Sequence, residues 1–117
     1  MDERRSTPRL SVSLEAVWDH TTGNHAARIT DLSLGGCYLD TVGETMTGDV
    51  VCFRVSLPDG DWLYLEGEVR HHAPRMGFGV RFLELEPQQE EKIRAILKAA
   101  RDSGSETVPI AASLVEE

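Results

Sequence analysis

A period-two alternation of apolar and polar residues is the feature that most constrains the fold of this sequence. The apolar positions of the first such segment are Leu10, Val12, Leu14, Ala16 and Trp18. Successive side chains of a β-strand point to opposite faces, so this period indicates a strand with one buried face. An amphipathic helix would instead repeat its apolar residues every three or four positions.

Five further apolar segments bring the number of predicted strands to six. They span about 26–31, 37–41, 51–57, 63–70 and 78–82. Turn signals separate them, most clearly at Pro58-Asp59-Gly60, where proline fixes φ and glycine tolerates a positive φ. Short strands that alternate with turns are typical of an antiparallel barrel or a sandwich, and the residues alone leave both open.

The period changes after the last strand. Pro87 suits the first turn of a helix. Ile93, Ile96, Leu97 and Ala100 then follow the spacing of an amphipathic helix, and the predicted stop is Gly104. We therefore expect a flexible arginine-rich arm at 1–9, one domain of strands and helix at 10–103, and a C-terminal tail at 104–117.

Neither a membrane-spanning segment nor a metal-binding site is expected from the sequence. No apolar run approaches the ~20 residues of a membrane span, and the first residues lack the apolar core of a secretory signal. We therefore predict a cytoplasmic protein. Cys37 and Cys52 lack the spacing of a disulfide framework or a zinc site and are both predicted to be small buried residues. His71 and His72 are adjacent, so they point to opposite faces of a strand.

Basic residues are concentrated at the N-terminus of an acidic chain. Arg4, Arg5 and Arg9 lie within the first ten residues, whereas the net charge of the chain is −8. Binding to a nucleic acid polymer requires a broad basic face, which this composition disfavours. A local basic site favours a small anionic ligand instead, and Arg28 and Arg81 on predicted strands are candidates to extend it.

Two arginines have the spacing R-x-x-x-R. The guanidinium groups of Arg5 and Arg9 are planar forks that can bind phosphate oxygens or a guanine edge. A solvated basic arm would explain the same pattern without any ligand.

The segment Asp31-Leu32-Ser33-Leu34-Gly35-Gly36 carries a complementary set of groups. The carboxylate of Asp31 can accept from N1–H and N2–H of guanine, and the hydroxyl of Ser33 can donate to a phosphate or a base. Gly35 and Gly36 allow a sharp turn or a close approach to a ligand. A serine-stabilised turn between two strands is the simpler explanation of this segment.

Together, the two patterns resemble the PilZ domain family, which combines R-x-x-x-R in an N-terminal arm with D/N-x-S-x-x-G at a strand end. Arg5 and Arg9 match the first part, and Asp31, Ser33 and Gly36 match the second. The segment Gly79-Val80-Arg81-Phe82 is similar to the last strand of the family. The resemblance covers roughly residues 3–100.

The resemblance implies a mainly β fold, namely a six-stranded antiparallel β-barrel with a C-terminal amphipathic helix. It implies a receptor for the bacterial messenger cyclic di-GMP, without enzymatic activity, cofactor or metal. The arm would close over the barrel on ligand binding and signal to a protein partner. The ligand-binding residues implied are Arg4, Arg5, Arg9, Asp31, Ser33, Gly35 and Gly36. In similar proteins, a long basic residue directly before the R-x-x-x-R pattern, as Arg4 is here, accompanies the binding of two stacked ligand molecules. The alternative is a module of the same fold that binds proteins and does not use the nucleotide.

Overall fold

Six antiparallel strands close into a barrel, and one helix follows them, in the residues that the computed structural model describes (9–20, 23–73 and 75–102). The order around the barrel is β1-β2-β3-β6-β5-β4. The elements are β1 (Leu10–His20), β2 (Gly23–Leu32), β3 (Gly36–Asp40), β4 (Val50–Ser56), β5 (Trp62–Ala73), β6 (Gly77–Phe82) and α1 (Pro87–Asp102). The predicted barrel with its C-terminal helix is confirmed, and the sandwich is not formed.

The alternating residues fill the interior of the barrel. Trp18 is fully buried, and its Nε1 donates a hydrogen bond to Oγ1 of Thr41 at 3.0 Å. The indole therefore packs in the core without leaving its N–H unpaired. The buried apolar residues are Leu10, Ala16, Trp18, Ile29, Leu32, Cys37, Leu39, Val51, Phe53, Val55, Leu57, Leu63, Leu65, Val69, Phe78, Val80, Phe82, Ile93 and Leu97.

One of the two cysteines does not lie in the core. Cys37 is buried as predicted, whereas Cys52 is exposed, so the prediction that both are buried was wrong. Cys52 lies on β4 between Val51 and Phe53, which point inward, and therefore points outward. Its thiol donates a hydrogen bond to Oε2 of Glu66 at 3.5 Å on the outer face.

Helix α1 packs its apolar face against the barrel. Ile93 is fully buried and Leu97 is nearly so. The side chain of Gln89 accepts a hydrogen bond from the N–H of Glu86 at 2.7 Å and donates one to the carbonyl of Tyr64 at 2.7 Å, which caps the helix and ties it to β5. Among the described residues, no helix has the length and apolarity that crossing a membrane requires. The predicted stop at Gly104 and the tail at 104–117 lie outside the described residues.

A β-bulge in β2 determines the direction of the Asp31 side chain. Ile29 and Asp31 are two residues apart, yet they pair with Leu39 and Tyr38, which are adjacent on β3. Thr30 is therefore an extra residue that changes the phase of the strand. The bulge puts Asp31 on the same side of the sheet as its partner Tyr38, where its side chain is buried, while Ile29 stays in the apolar core.

Candidate functional site

The predicted site residues that the structure describes meet where β1 begins and β2 ends. Leu10 pairs with Leu32, which places Arg9, just before β1, beside the turn that joins β2 to β3. Asp31 lies at the end of β2, and the turn spans Ser33 to Gly36. The barrel topology therefore assembles residues that are more than twenty positions apart in sequence.

The hydroxyl of Ser33 organises this turn. Its oxygen accepts hydrogen bonds from the N–H groups of Gly35 and Gly36 at 3.1 and 3.2 Å, and from Nη1 of Arg9 at 3.2 Å. The three donors share the two acceptor lone pairs of the hydroxyl oxygen, and its O–H donates to the carbonyl of Gly36 at 3.4 Å, so the hydroxyl is fully engaged. The turn is fixed to β6 because the N–H of Phe82 donates to the carbonyl of Gly35 at 2.9 Å. Ser33 thus positions Arg9, and its direct contact with a ligand stays a prediction.

Arg9 and Asp31 form an ion pair that no hydrogen bond completes. Nε of Arg9 lies 3.7 Å from Oδ1 of Asp31, and the side chains are only 18% and 8% exposed. Both atoms are shielded from solvent, and neither has a hydrogen-bond partner among the described residues. A buried polar group without a partner costs about 1–3 kcal/mol. Asp31 can therefore still accept a hydrogen bond from a ligand, and Arg9 can still donate one to it.

Burial governs the ionisation of the residues around this pair. It raises the pKa of Asp31, and the positive charge of Arg9 opposes the rise only in part. Burial also raises the pKa of the Tyr38 phenol, with further contributions from the charges of Asp40 and Asp31. The pKa of the Cys37 thiol is raised by burial and by the charge of Asp31. Donors from a ligand would favour the charged form of Asp31 and offset its desolvation.

The two glycines of the turn differ in their surroundings. A Cβ on Gly36 would collide with the carbonyl oxygen of Val80 and lie 3.3 Å from Cα of Arg81, because β3 and β6 pair closely there. A Cβ on Gly35 would meet nothing closer than Oγ of Ser33 at 3.9 Å. The packing of the barrel thus requires Gly36, whereas Gly35 leaves open space beside the turn.

Comparison with known families is consistent with this geometry. The profile of the PilZ domain family matches residues 3–99. The chain belongs to the PilZ domain family. The matched segment includes both sequence patterns and the whole barrel, as the resemblance implied.

Solved PilZ structures share the fold of this chain. YcgR from Escherichia coli in complex with c-di-GMP superimposes with a TM-score of 0.73 and 20% identity, covering 86% of this chain and 47% of that one. The PilZ domain of the same protein with c-di-GMP gives a TM-score of 0.70 and 16% identity, covering 98% and 99%. The Bacillus subtilis inhibitor of motility, MotI, gives 0.66 and 13%, covering 87% and 51%.

The chain spans about half the length of the YcgR and MotI chains. No curated protein sequence matches it.

The remaining predicted basic residues are placed differently. Arg4 and Arg5 lie outside the described residues. Arg28 donates through Nη1 to Oγ of Ser13 at 3.0 Å, on the outer surface. Arg81 pairs with Gly36 across β3 and β6, beside the site, and its Nη2 lies 3.4 Å from Oε1 of Glu68.

Tyr38 was missed by the sequence reasoning. It lies directly opposite Asp31 in the sheet, next to the turn. Its position between the buried residues Cys37 and Leu39 indicates that it points outward. Its nearness to Asp31 depends on the bulge at Thr30, which no sequence pattern marked.

Within the described part of the chain, no group of three or more His, Cys, Asp or Glu side chains is arranged to hold a metal ion.

Proposed function

We propose that this PilZ domain is a receptor for cyclic di-GMP and that the nucleotide binds at Arg9, Asp31 and the turn from Ser33 to Gly36. The single observation that carries the proposal is the ion pair of Arg9 and Asp31, whose Nε and Oδ1 atoms are buried without a hydrogen-bond partner among the described residues. Family membership supports the choice of ligand, as do the PilZ structures that contain c-di-GMP.

The chemistry of cyclic di-GMP suits these groups. Each guanine presents N1–H and N2–H, which can donate to the carboxylate of Asp31, and O6 and N7, which can accept from the Arg9 guanidinium. The two phosphates suit the arginines of the arm, since guanidinium groups bind phosphate oxygens in pairs. Such contacts would satisfy the buried atoms of Arg9 and Asp31.

We further propose that the arm, residues 1–9, becomes fixed when the ligand binds and that the ordered arm signals to a protein partner. Arg9 is already held against Ser33 at 3.2 Å, so it gives the arm an anchor next to the site. Ordering each residue costs about 1–2 kcal/mol, which contacts to two phosphates and two guanines would offset. We propose that Arg4 and Arg5 of the arm also contact the nucleotide. The proposed place of this signalling is the bacterial cytoplasm.

Backbone amide NMR tests the site and the arm in one titration. We expect cyclic di-GMP to shift the amide signals of Arg9, residues 31–38 and Arg81, and to leave those of helix α1 in place. The order parameters of residues 1–9 should rise on binding. If those residues are already rigid in the free protein, the site is preformed and the proposed switch is wrong.

A matched pair of variants controls for charge. Arg9→Ala should weaken binding, whereas Arg101→Ala, which removes the same charge from the exposed last turn of α1, should not. If Arg101→Ala weakens binding as much as Arg9→Ala does, general attraction to the basic residues would explain the binding, and the proposed site would be wrong. A folded wild-type spectrum that does not respond to the nucleotide would favour the alternative, a protein-interaction module.

A further inference from the structure

The outer face of β6 carries a stretch without side chains. Phe78, Val80 and Phe82 point into the core, so the alternate positions point outward. Of these, Gly77 and Gly79 have no side chain. Two neighbouring strands supply rings at this level, since Gly79 pairs with Tyr38 on β3 and with His71 on β5.

The two rings lie close to Gly79 from opposite sides. A Cβ on Gly79 would be 3.5 Å from Cδ1 of Tyr38 and 3.7 Å from Cδ2 of His71, which is ordinary van der Waals contact. His71 is exposed and Tyr38 is partly so. Tyr38 and His71 thus flank Gly79, which is itself buried between them, and we call this row of ring, glycine and ring the platform.

The fold does not require glycine at position 79. Gly77 has a φ of 133°, and a Cβ there would collide with the carbonyl oxygen of Leu39, so its backbone requires glycine. Gly79 has neither constraint, because an added Cβ would meet only ordinary contacts. Glycine weakens the interior of a strand, and it often marks a bulge or a close approach of a ligand; the bulge here lies in β5, between Val69 and His71, and Gly79 pairs with His71 next to it.

The platform adjoins the proposed nucleotide site. Tyr38 pairs directly with Asp31, and the next outward residue of β6 after Gly79 is Arg81, opposite Gly36. Neighbouring strands are about 4.8 Å apart, so His71 lies three strand spacings, or about 14 Å, from Asp31. A single ligand that carries two bases can therefore contact Asp31 and the platform together.

We infer that the platform binds one guanine of cyclic di-GMP by stacking on the rings of Tyr38 and His71, an inference that rests on the proposed function. With no side chain at Gly79 to separate them, the rings of Tyr38 and His71 lie side by side over the strand, and a purine can stack on their outer faces. Every base has a π face, and stacking on aromatic side chains is a common means of holding it. The neighbouring carboxylate and guanidinium supply hydrogen bonds to base edges, which stacking alone does not provide.

Isothermal titration with cyclic di-GMP tests this inference on the full chain. Tyr38→Leu and His71→Ala should each weaken binding at least about fivefold, the lower bound for loss of base stacking. Tyr38→Phe keeps the ring and should bind like wild type. Tyr64→Ala is the matched control, because Tyr64 is an exposed aromatic residue on β5, about 20 Å along the strand from His71.

Salt dependence distinguishes stacking from charge. The loss in Tyr38→Leu should be the same at 0.1 and 0.5 M NaCl, whereas the loss in Arg9→Ala should shrink as salt screens the charge. Thermal melts of each variant confirm that it is folded.

Each outcome has a distinct meaning. If wild type binds and Arg9→Ala weakens binding, but Tyr38→Leu and His71→Ala stay within twofold of wild type, the platform is overturned and the receptor function stands. If Tyr64→Ala weakens binding as much as His71→Ala does, the loss is not specific to the platform and the inference fails. If wild type does not bind cyclic di-GMP at all, the proposed function and the platform fail together.

Discussion

Replacing either of the two adjacent glycines of the β2–β3 turn by alanine should affect stability very differently, since only Gly36→Ala is expected to destabilise the protein. Gly36→Ala places a Cβ against the backbone of β6, where it collides with the carbonyl oxygen of Val80 and lies 3.2 Å from its carbonyl carbon. No side-chain rotation relieves contacts with backbone, so β3 and β6 must separate. The Cβ added in Gly35→Ala meets no atom closer than Oγ of Ser33 at 3.9 Å.

The magnitudes follow from these contacts. Overpacking costs about 1–3 kcal/mol, and we expect at least the lower value for Gly36→Ala because the colliding atoms belong to a hydrogen-bonded pair of strands. For a domain of this size, about 1 kcal/mol corresponds to a change in Tm of about 4–8 °C. Gly35→Ala should be neutral or stabilise by up to about 1 kcal/mol, since alanine restricts the unfolded chain.

Thermal and urea denaturation of wild type and the two variants measure the difference. Far-UV circular dichroism reports the barrel, and tryptophan fluorescence, from the buried Trp18 and the exposed Trp62, reports the tertiary structure. Our account of the turn would be wrong if Gly36→Ala melts within 2 °C of wild type, or if both variants are destabilised equally.

Three further predictions concern the ion pair, the cysteines and the arm. Burial raises the pKa of Asp31 above its ordinary value of 3.8, so the folded chain keeps a proton that the unfolded chain loses, and the free energy of unfolding falls as pH rises through that window. The asparagine of the Asp31→Asn variant cannot ionise, so the free energy of unfolding of the variant, relative to that of wild type, should be greater at pH 7 than at pH 3.5. Urea denaturation at both pH values measures this difference, and a smaller difference at pH 7 than at pH 3.5 would contradict the prediction. A maleimide should label the exposed Cys52 of the folded protein and leave the buried Cys37 unmodified, and equal labelling by mass spectrometry would refute that assignment. Arg5→Ala and Arg9→Ala should each cost about 1.5–3 kcal/mol of binding to cyclic di-GMP; Arg5→Ala should leave Tm unchanged, whereas Arg9→Ala, which leaves the buried carboxylate of Asp31 without its cation, should also lower Tm. An unchanged affinity of either variant would contradict the proposed site.

The fold was predictable because its signal is local and repeated. Residues such as Phe53 and Leu65 alternate with polar neighbours in the longer strands, and apolar segments between turn signals marked the shorter strands β2 and β3. The alternation also placed Cys52 on the outer face, since it lies between Val51 and Phe53. The prediction that Cys52 is buried relied on the general preference of cysteine and overlooked its position in the strand.

The details of the site depend on contacts between distant residues. The bulge at Thr30 places Asp31 opposite Tyr38, but Ile29, Thr30 and Asp31 read as an ordinary strand in the sequence. The requirement for Gly36 comes from the approach of Val80, which is more than forty positions away in the chain. The sequence patterns therefore identified Asp31 and Gly36 as candidates but did not distinguish ligand contact from packing.

Isothermal titration of the wild-type protein with cyclic di-GMP, and in parallel with GMP, tests the receptor function most directly. We predict binding at about 1 μM or tighter, about −8 kcal/mol, with much weaker binding of GMP. The stoichiometry will show whether one ligand or a stacked pair binds. The absence of heat at ~100 μM cyclic di-GMP, far above the expected dissociation constant, would contradict the account.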